Sequence, residues 1–212
     1  MKMRAAVLRT IAPDRPYART QPISIEEVEL DGPQAGEVLV KIAGAGLCHS
    51  DLSVIDGSRP RPLPVALGHE GAGTVVEAGV GVRDIAPGDP VVFQFSASCG
   101  RCERCLEGRP QICIAHGAAR AKGELMAGGK RLRDARGEPV NHQSGVSCFA
   151  EYATVDRGSV VKVDKDVPLA MAAVFGCAVM TGVGAALNTA AIRPGQKVAI
   201  IGLGGVGLSG LL

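Results

Sequence analysis

Cys99-Gly-Arg-Cys102-Glu-Arg-Cys105-Leu-Glu-Gly-Arg-Pro-Gln-Ile-Cys113 sets four cysteines at the spacing C-x2-C-x2-C-x7-C. Four thiolates can enclose one Zn²⁺ as a closed tetrahedron. A gap of two residues lets a short turn aim two sulfurs at one point, and Gly100 and Gly108 give that backbone room to turn. Arg101, Arg104 and Arg109 offset thiolate charge. A site closed by four protein ligands has no corner for a substrate, so the metal expected here holds a loop in place and does not react. Disulfides and an iron–sulfur cluster are the competing readings. Seven cysteines are an odd number and no secretory leader precedes them, which disfavours disulfides. An iron–sulfur cluster uses similar ligands, and spacing alone leaves it open.

The rest of the chain is compatible with a protein able to bury a core around that loop. Its 212 residues allow one large or two small domains, and apolar residues make up 46%. With no Trp and 3% aromatics, that core must come from Val, Ala, Leu and Ile. A net charge of +2 is too small to imply nucleic acid or an anionic membrane as partner. The apolar run at the start ends at Arg9, short of a secretory h-region. No run approaches the ~18 apolar residues of a membrane span, so the cytoplasm is the expected compartment.

Short strands are expected over residues 3–11, 23–30, 37–43, 73–78 and 90–95, with Gly/Pro turns between them and a break at Gly44-Ala-Gly46. This texture suggests a small β-barrel. Residues 114–147 read as a long solvated loop with a hairpin around Lys130–Glu138, and His116 and His142 as plain surface residues within it. Strands at 149–155 and 159–163 follow, then an Ala/Met/Val-rich helix from Leu169 to Ala191 and a buried strand at Gln196–Ile201.

That last strand leads into Gly202-Leu-Gly204-Gly205-Val206-Gly207 and the start of a helix. The pattern G-x-G-x-x-G in this context is the dinucleotide fingerprint: a tight turn, a close backbone approach to pyrophosphate, and helix–strand packing. The unit needs a further parallel strand beyond Leu212, so a truncated cofactor domain is expected. The residue that would separate NAD from NADP falls in that missing part. Cys48, His69 and Cys177 are further ligand candidates, though taken singly each reads first as a bland core or loop residue. Cys148 fits no ligand set and reads as buried filler.

Six stretches together resemble the zinc-dependent medium-chain alcohol dehydrogenase family, in its order. They are Gly46-Leu-Cys48-His-Ser-Asp51, Gly68-His-Glu-Gly-Ala-Gly73, the four-cysteine loop, Phe149-Ala-Glu-Tyr152, Gly176-Cys177-x-x-x-Thr181-Gly182 and Gly202–Gly207. The resemblance implies a mixed fold. A GroES-like β-barrel catalytic domain over 1–177 would carry two zincs, and 178–212 would begin a Rossmann domain. It implies Cys48, His69 and Cys177 as ligands of a catalytic zinc, and Cys99, Cys102, Cys105 and Cys113 as ligands of a structural one. Ser50 matches a hydroxyl that contacts the alcohol and starts proton relay. His49 matches a basic residue at the cofactor pyrophosphate, and Asp51 and Glu70 match acids behind the zinc. Thr181 and Val206 match residues against the nicotinamide, beside Gly202, Gly204, Gly205 and Gly207. His49 departs from the family's arginine, which weakens a fixed-charge grip on pyrophosphate.

The implied activity is hydride transfer between a primary or aromatic alcohol, or its aldehyde, and NAD, or NADP in its place. Zinc would act as a Lewis acid lowering the pKa of the bound alcohol to give a zinc-bound alkoxide. The implied assembly is a homodimer or homotetramer of the full-length chain. The alternatives are a glutathione-dependent formaldehyde dehydrogenase, S-(hydroxymethyl)glutathione dehydrogenase, or, for this stretch alone, a non-catalytic zinc module.

Overall fold

The computed structural model describes residues 1–212. β1 (Lys2–Leu8) and β2 (Ile23–Leu30) pair antiparallel, with Met3 opposite Val28 and Val7 opposite Ser24. With β4 (Val65–Ala66), β7 (Leu132–Arg133) and β8 (Pro139–His142) they close a barrel in the order β1-β2-β7-β8-β4. β3 (Glu37–Gly46), β5 (Glu70–Ala78), β6 (Pro90–Phe93), β9 (Tyr152–Asp156) and β10 (Val160–Lys162) form a second sheet, ordered β10-β6-β5-β3-β9. Val38, Val40, Val75, Val91, Phe93 and Val155 are buried in one cluster; Met3, Val7, Val28, Leu30, Leu132 and Val140 are buried in another. Each such side chain contributes about 1.5–3 kcal/mol relative to leaving it in water. The aliphatic core and the barrel are as the composition and strand pattern imply.

The expected break at Gly44-Ala-Gly46 does not occur. β3 continues through Gly46, with its register against β5 shifting between Ile42 and Gly44. The glycines bend the strand without ending it, as irregular pairing does. The strand then delivers Leu47 and Cys48 to α2 (His49–Ile55); α1 is a single turn at Tyr17–Thr20.

Residues 114–147 are more ordered than their composition suggests. α3 (Glu103–Leu106) lies inside the cysteine loop, and α4 (Ile114–Lys122) follows it, ended by Gly123 in the left-handed region at φ 68°. The hairpin expected near 130–138 is the β7–β8 pair. His116 and His142 are buried, 5% and 2% exposed, and are not surface residues. His116 Nε2 sits 2.9 Å from the Phe95 carbonyl oxygen, tying α4 to the chain after β6. His142 Nε2 accepts from the Arg131 amide at 3.0 Å. The charges of this stretch are not all solvated either. Arg131, 3% exposed, donates from Nη2 and Nε to the two oxygens of buried Glu37 at 2.6 and 2.9 Å. Periodicity misses these residues because a bidentate ion pair, unlike an apolar stripe, leaves no sequence period.

α5 (Leu169–Thr189) passes against the second sheet, where Ala172 and Ala173 pack with Ala72 and Val92. With mean hydropathy 1.9 it is long and apolar enough to cross a membrane, which corrects the expectation that no such stretch exists. Ala172 and Ala173 serve here for close packing on the sheet. α6 (Gly205–Leu211) crosses α5 at Gly182, where an added Cβ would collide with the Val206 carbonyl oxygen. Gln196–Ile201 is not a strand, and Ile201 is 99% exposed. A parallel strand needs neighbours for its amides and its apolar faces, and none lies beside it in residues 1–212.

Candidate functional site

α2 starts where Cys48 caps it. Cys48 Sγ accepts from the Ser50 amide at 3.4 Å, and Asp51 Oδ2 accepts from the Cys48 amide at 3.0 Å. This reciprocal cap satisfies end-of-helix donors and fixes the direction of the thiol. Asp51 is 3% exposed, and its other oxygen accepts from His69 Nδ1 at 2.9 Å and from Gln143 Nε2 at 2.8 Å. Gln143 in turn accepts from the Gly68 amide at 2.6 Å. His69 therefore has one ring nitrogen engaged and leaves Nε2 free to face outward. Gln143 escaped sequence reasoning, since a glutamine in a polar stretch carries no motif. Cys148, 1% exposed, donates from Sγ to the Glu70 carbonyl oxygen at 3.0 Å and takes no part in either cysteine cluster.

Ligand atoms of Cys48, His69, Glu70 and Cys177 all lie within 4.8 Å of one another. Residues 48, 69 and 177 thus converge although separated by up to 129 positions. Cys48 and Cys177 sulfurs are 4.0 Å apart. Two thiolates about 2.3 Å from one tetrahedral ion would be separated by roughly 3.8 Å, so the donors present fit zinc. Burial first, then Glu70 and Cys48, push the Cys177 thiol well above its ordinary range. Two thiols, a carboxylate and an imidazole gathered at one point make a donor set that a dication suits. Glu70 joins the donors here, closer in than the supporting place the sequence suggested.

The second cluster is the quoted loop. Ligand sulfurs of Cys99, Cys102, Cys105 and Cys113 also lie within 4.8 Å of one another. Cys102 is 3.5 Å from Cys105 and 3.9 Å from Cys113, far beyond a covalent S–S bond of about 2.05 Å. All seven cysteines are free thiols. Amides of Cys105 and Ile114 pull the Cys102 thiol below its ordinary range, toward the thiolate that a metal binds, while burial pushes neighbouring Cys105 up. Four sulfurs and no open position suit a closed structural site.

Ser50, Thr181 and Val206 line one cleft of about 340 Å³ with Cys48, His69 and Cys177. Gly202, Gly204, Gly205, Val206 and Gly207 line a neighbouring cleft of about 530 Å³ beneath α5, so Val206 borders both. A Cβ on Gly207 would strike the Gly202 carbonyl oxygen, which enforces the tight turn. His49 is exposed, with Nδ1 3.4 Å from Ser53 Oγ, and lies outside both clefts. Three arginines not singled out from the sequence, Arg59, Arg61 and Arg120, share the cleft with Ser50.

A β-barrel carrying a four-cysteine cluster and a mixed Cys/His/Glu cluster presents two candidate metal sites. Residues 34–165 match the alcohol dehydrogenase GroES-like domain, and the chain belongs to the zinc-dependent medium-chain alcohol dehydrogenase family, whose members are oxidoreductases. It is 40% identical over 210 residues to S-(hydroxymethyl)glutathione dehydrogenase of Escherichia coli O157:H7, covering 99% of this chain and 54% of that one. An alcohol dehydrogenase zinc-binding domain protein from Burkholderia ambifaria superposes with a TM-score of 0.89 at 39% identity, over 99% of this chain and 54% of that one. Benzyl alcohol dehydrogenase from Acinetobacter calcoaceticus superposes at 0.87 and 34% identity, over 100% and 54%. The chain thus spans about half the length of the relatives it matches. Its fold is the GroES-like barrel followed by the start of a Rossmann domain.

Proposed function

We propose that the chain is the zinc-carrying part of an NAD- or NADP-linked dehydrogenase acting on a primary or aromatic alcohol, or in reverse on its aldehyde. The convergence of Cys48, His69 and Cys177 on one point beside Ser50 carries this reading. The domains divide as 1–177 for zinc and substrate and 178–212 for the opening of the cofactor unit. In the full-length protein we expect a homodimer or homotetramer, in the cytoplasm, where seven unpaired thiols persist.

When bound, zinc supplies Lewis-acid polarisation of the substrate oxygen and the nicotinamide accepts the hydride. Cys48, His69 and Cys177 would hold the metal, with Glu70 as an additional oxygen donor. Asp51 accepts from Nδ1 of His69 and so keeps Nε2 aimed at the metal, raising its basicity as a ligand. Ser50 Oγ would accept the hydroxyl proton of the alcohol while releasing its own proton outward, and the carbinol carbon would give up its hydrogen with both bonding electrons as hydride. His49, on the exposed face of α2, passes the proton outward or meets the pyrophosphate once the cofactor unit is in place. The glycine turn at 202–207 would receive the cofactor pyrophosphate, and Thr181 and Val206 would border its nicotinamide. Cys99, Cys102, Cys105 and Cys113 keep a second zinc that orders their loop.

The 40% identity to relatives named S-(hydroxymethyl)glutathione dehydrogenase supports that substrate as the second reading. Steady-state rates of the full-length protein on alcohols and S-(hydroxymethyl)glutathione, with NAD and with NADP, decide between them. Turnover of benzyl alcohol is the expected result; no nicotinamide-linked activity on any of them would reject the proposal.

A further inference from the structure

Arg59, Arg61 and Arg120 line the cleft that also contains Ser50, His69 and Cys177, and no aspartate or glutamate lines it. None of the three takes part in an ion pair. Arg61 Nε is buried without a hydrogen-bond partner. A buried donor left unmade costs free energy, more so on a charged group. Burial first, then the charges of Arg120 and Arg59, lower the Arg61 pKa, so its surroundings oppose its charge. Elsewhere the same chain pairs its buried arginine: Arg131 is matched bidentately by Glu37. Arg59, Arg61 and Arg120 have no such acid paired to them.

The arginines come from rigid supports. Arg59 and Arg61 alternate with Pro60 and Pro62, whose rings fix φ and stiffen the loop. Arg120 stands on the last turn of α4. Arg59 Nη1 donates to Ser50 Oγ at 3.3 Å, tying this cationic group to the hydroxyl proposed to receive the proton. A guanidinium presents a planar fork that matches a carboxylate in two hydrogen bonds.

We propose that the alcohol or aldehyde taken by this cleft carries a carboxylate, received by Arg61 and Arg120 while its hydroxyl end lies at Ser50. This rests on the dehydrogenase reading above and narrows its substrate class. The carboxylate can belong to a small hydroxy acid or to a peptide-like thiol adduct such as S-(hydroxymethyl)glutathione, and the two sources share the recognition chemistry.

The test uses the full-length zinc-loaded enzyme with NAD or NADP, whichever supports turnover. kcat/KM is measured for benzyl alcohol and 4-(hydroxymethyl)benzoate, and for 1-pentanol and 5-hydroxypentanoate, with S-(hydroxymethyl)glutathione as a separate arm. Charge-assisted hydrogen bonds predict a preference of at least about tenfold for the carboxylate member of a pair, lying mainly in KM. Faster turnover of the small acids assigns the carboxylate to them; faster turnover of the glutathione adduct assigns it there. R61Q and R120Q should each lower the carboxylate-to-neutral ratio about tenfold, and R61K should restore most of it. NADH affinity, read by fluorescence titration, should not change in either variant. Equal kcat/KM for charged and neutral members in the unmutated enzyme would overturn the proposal while leaving the dehydrogenase reading intact. A fall in NADH affinity with an unchanged ratio would overturn it too, assigning the arginines to cofactor phosphate. No turnover of any alcohol would instead remove the reading beneath it.

Discussion

Asp51 holds three neighbours at once: the Cys48 amide, His69 Nδ1 and Gln143 Nε2. Its role is to fix ligand direction, and Asp51→Asn replaces an acceptor oxygen by a donor facing His69. Such changes behind a metal ligand cost about 10–100-fold in affinity; chelator competition on the Asp51→Asn protein should show a loss of that size for one zinc only. His142 gives a separate test. Burial pushes it down to about 3, against 6.5 for an exposed histidine. The folded form keeps it neutral while the unfolded chain protonates it, so the contribution is complete above about pH 6.5. It falls by up to about 1.4 kcal/mol per pH unit as pH drops from there toward 3. Denaturant midpoints measured across that window should fall less steeply for His142→Gln, whose amide oxygen can still accept from Arg131. An identical slope in the two proteins would contradict the burial argument.

At the level of elements, the strands announce themselves and the covering segment does not. β1, β2 and β5 follow alternation and turn chemistry, and the cysteine spacing marks its own loop. The proposed set of Cys48, His69 and Cys177 is legible only through several ordered motifs, because separations of 21 and 129 positions carry no spacing rule. α4 was missed since its sequence, Ile-Ala-His-Gly-Ala-Ala-Arg-Ala-Lys, is small and polar and buries little beyond His116 and Ala119. Buried Leu132 and Val140 anchor this segment to the core, and polar contacts add to them: His116 to Phe95, and Arg131 to Glu37. Removing one member of a buried ion pair leaves the other uncompensated, at a cost of about 3–5 kcal/mol. Arg131→Met should lose that much stability in urea titration, while the double replacement Arg131→Met with Glu37→Leu should recover most of it. The strand expected at Gln196–Ile201 shows the converse: an apolar run forms a strand only when neighbours accept it.

Over the whole molecule, barrel, cysteine loop and α5 are arranged around two separated clusters of metal donors. α2 brings Cys48, the start of β5 brings His69 and Glu70, and α5 brings Cys177, so the site exists only when all three elements are docked. Metal binding and tertiary structure should therefore be linked. Cys113→Ser is expected to lower the unfolding temperature and leave the cysteine loop open to protease, with the Cys48 site still loaded. Anomalous diffraction at the zinc absorption edge, on crystals of the full-length protein, bears most directly on the proposed chemistry. Two peaks per chain are expected, since an open and a closed site differ in kind: one among the four loop sulfurs, the other bonded to Cys48, His69 and Cys177. A single peak confined to the cysteine loop in zinc-replete protein would leave Ser50 with no metal to work beside and would contradict the dehydrogenase assignment.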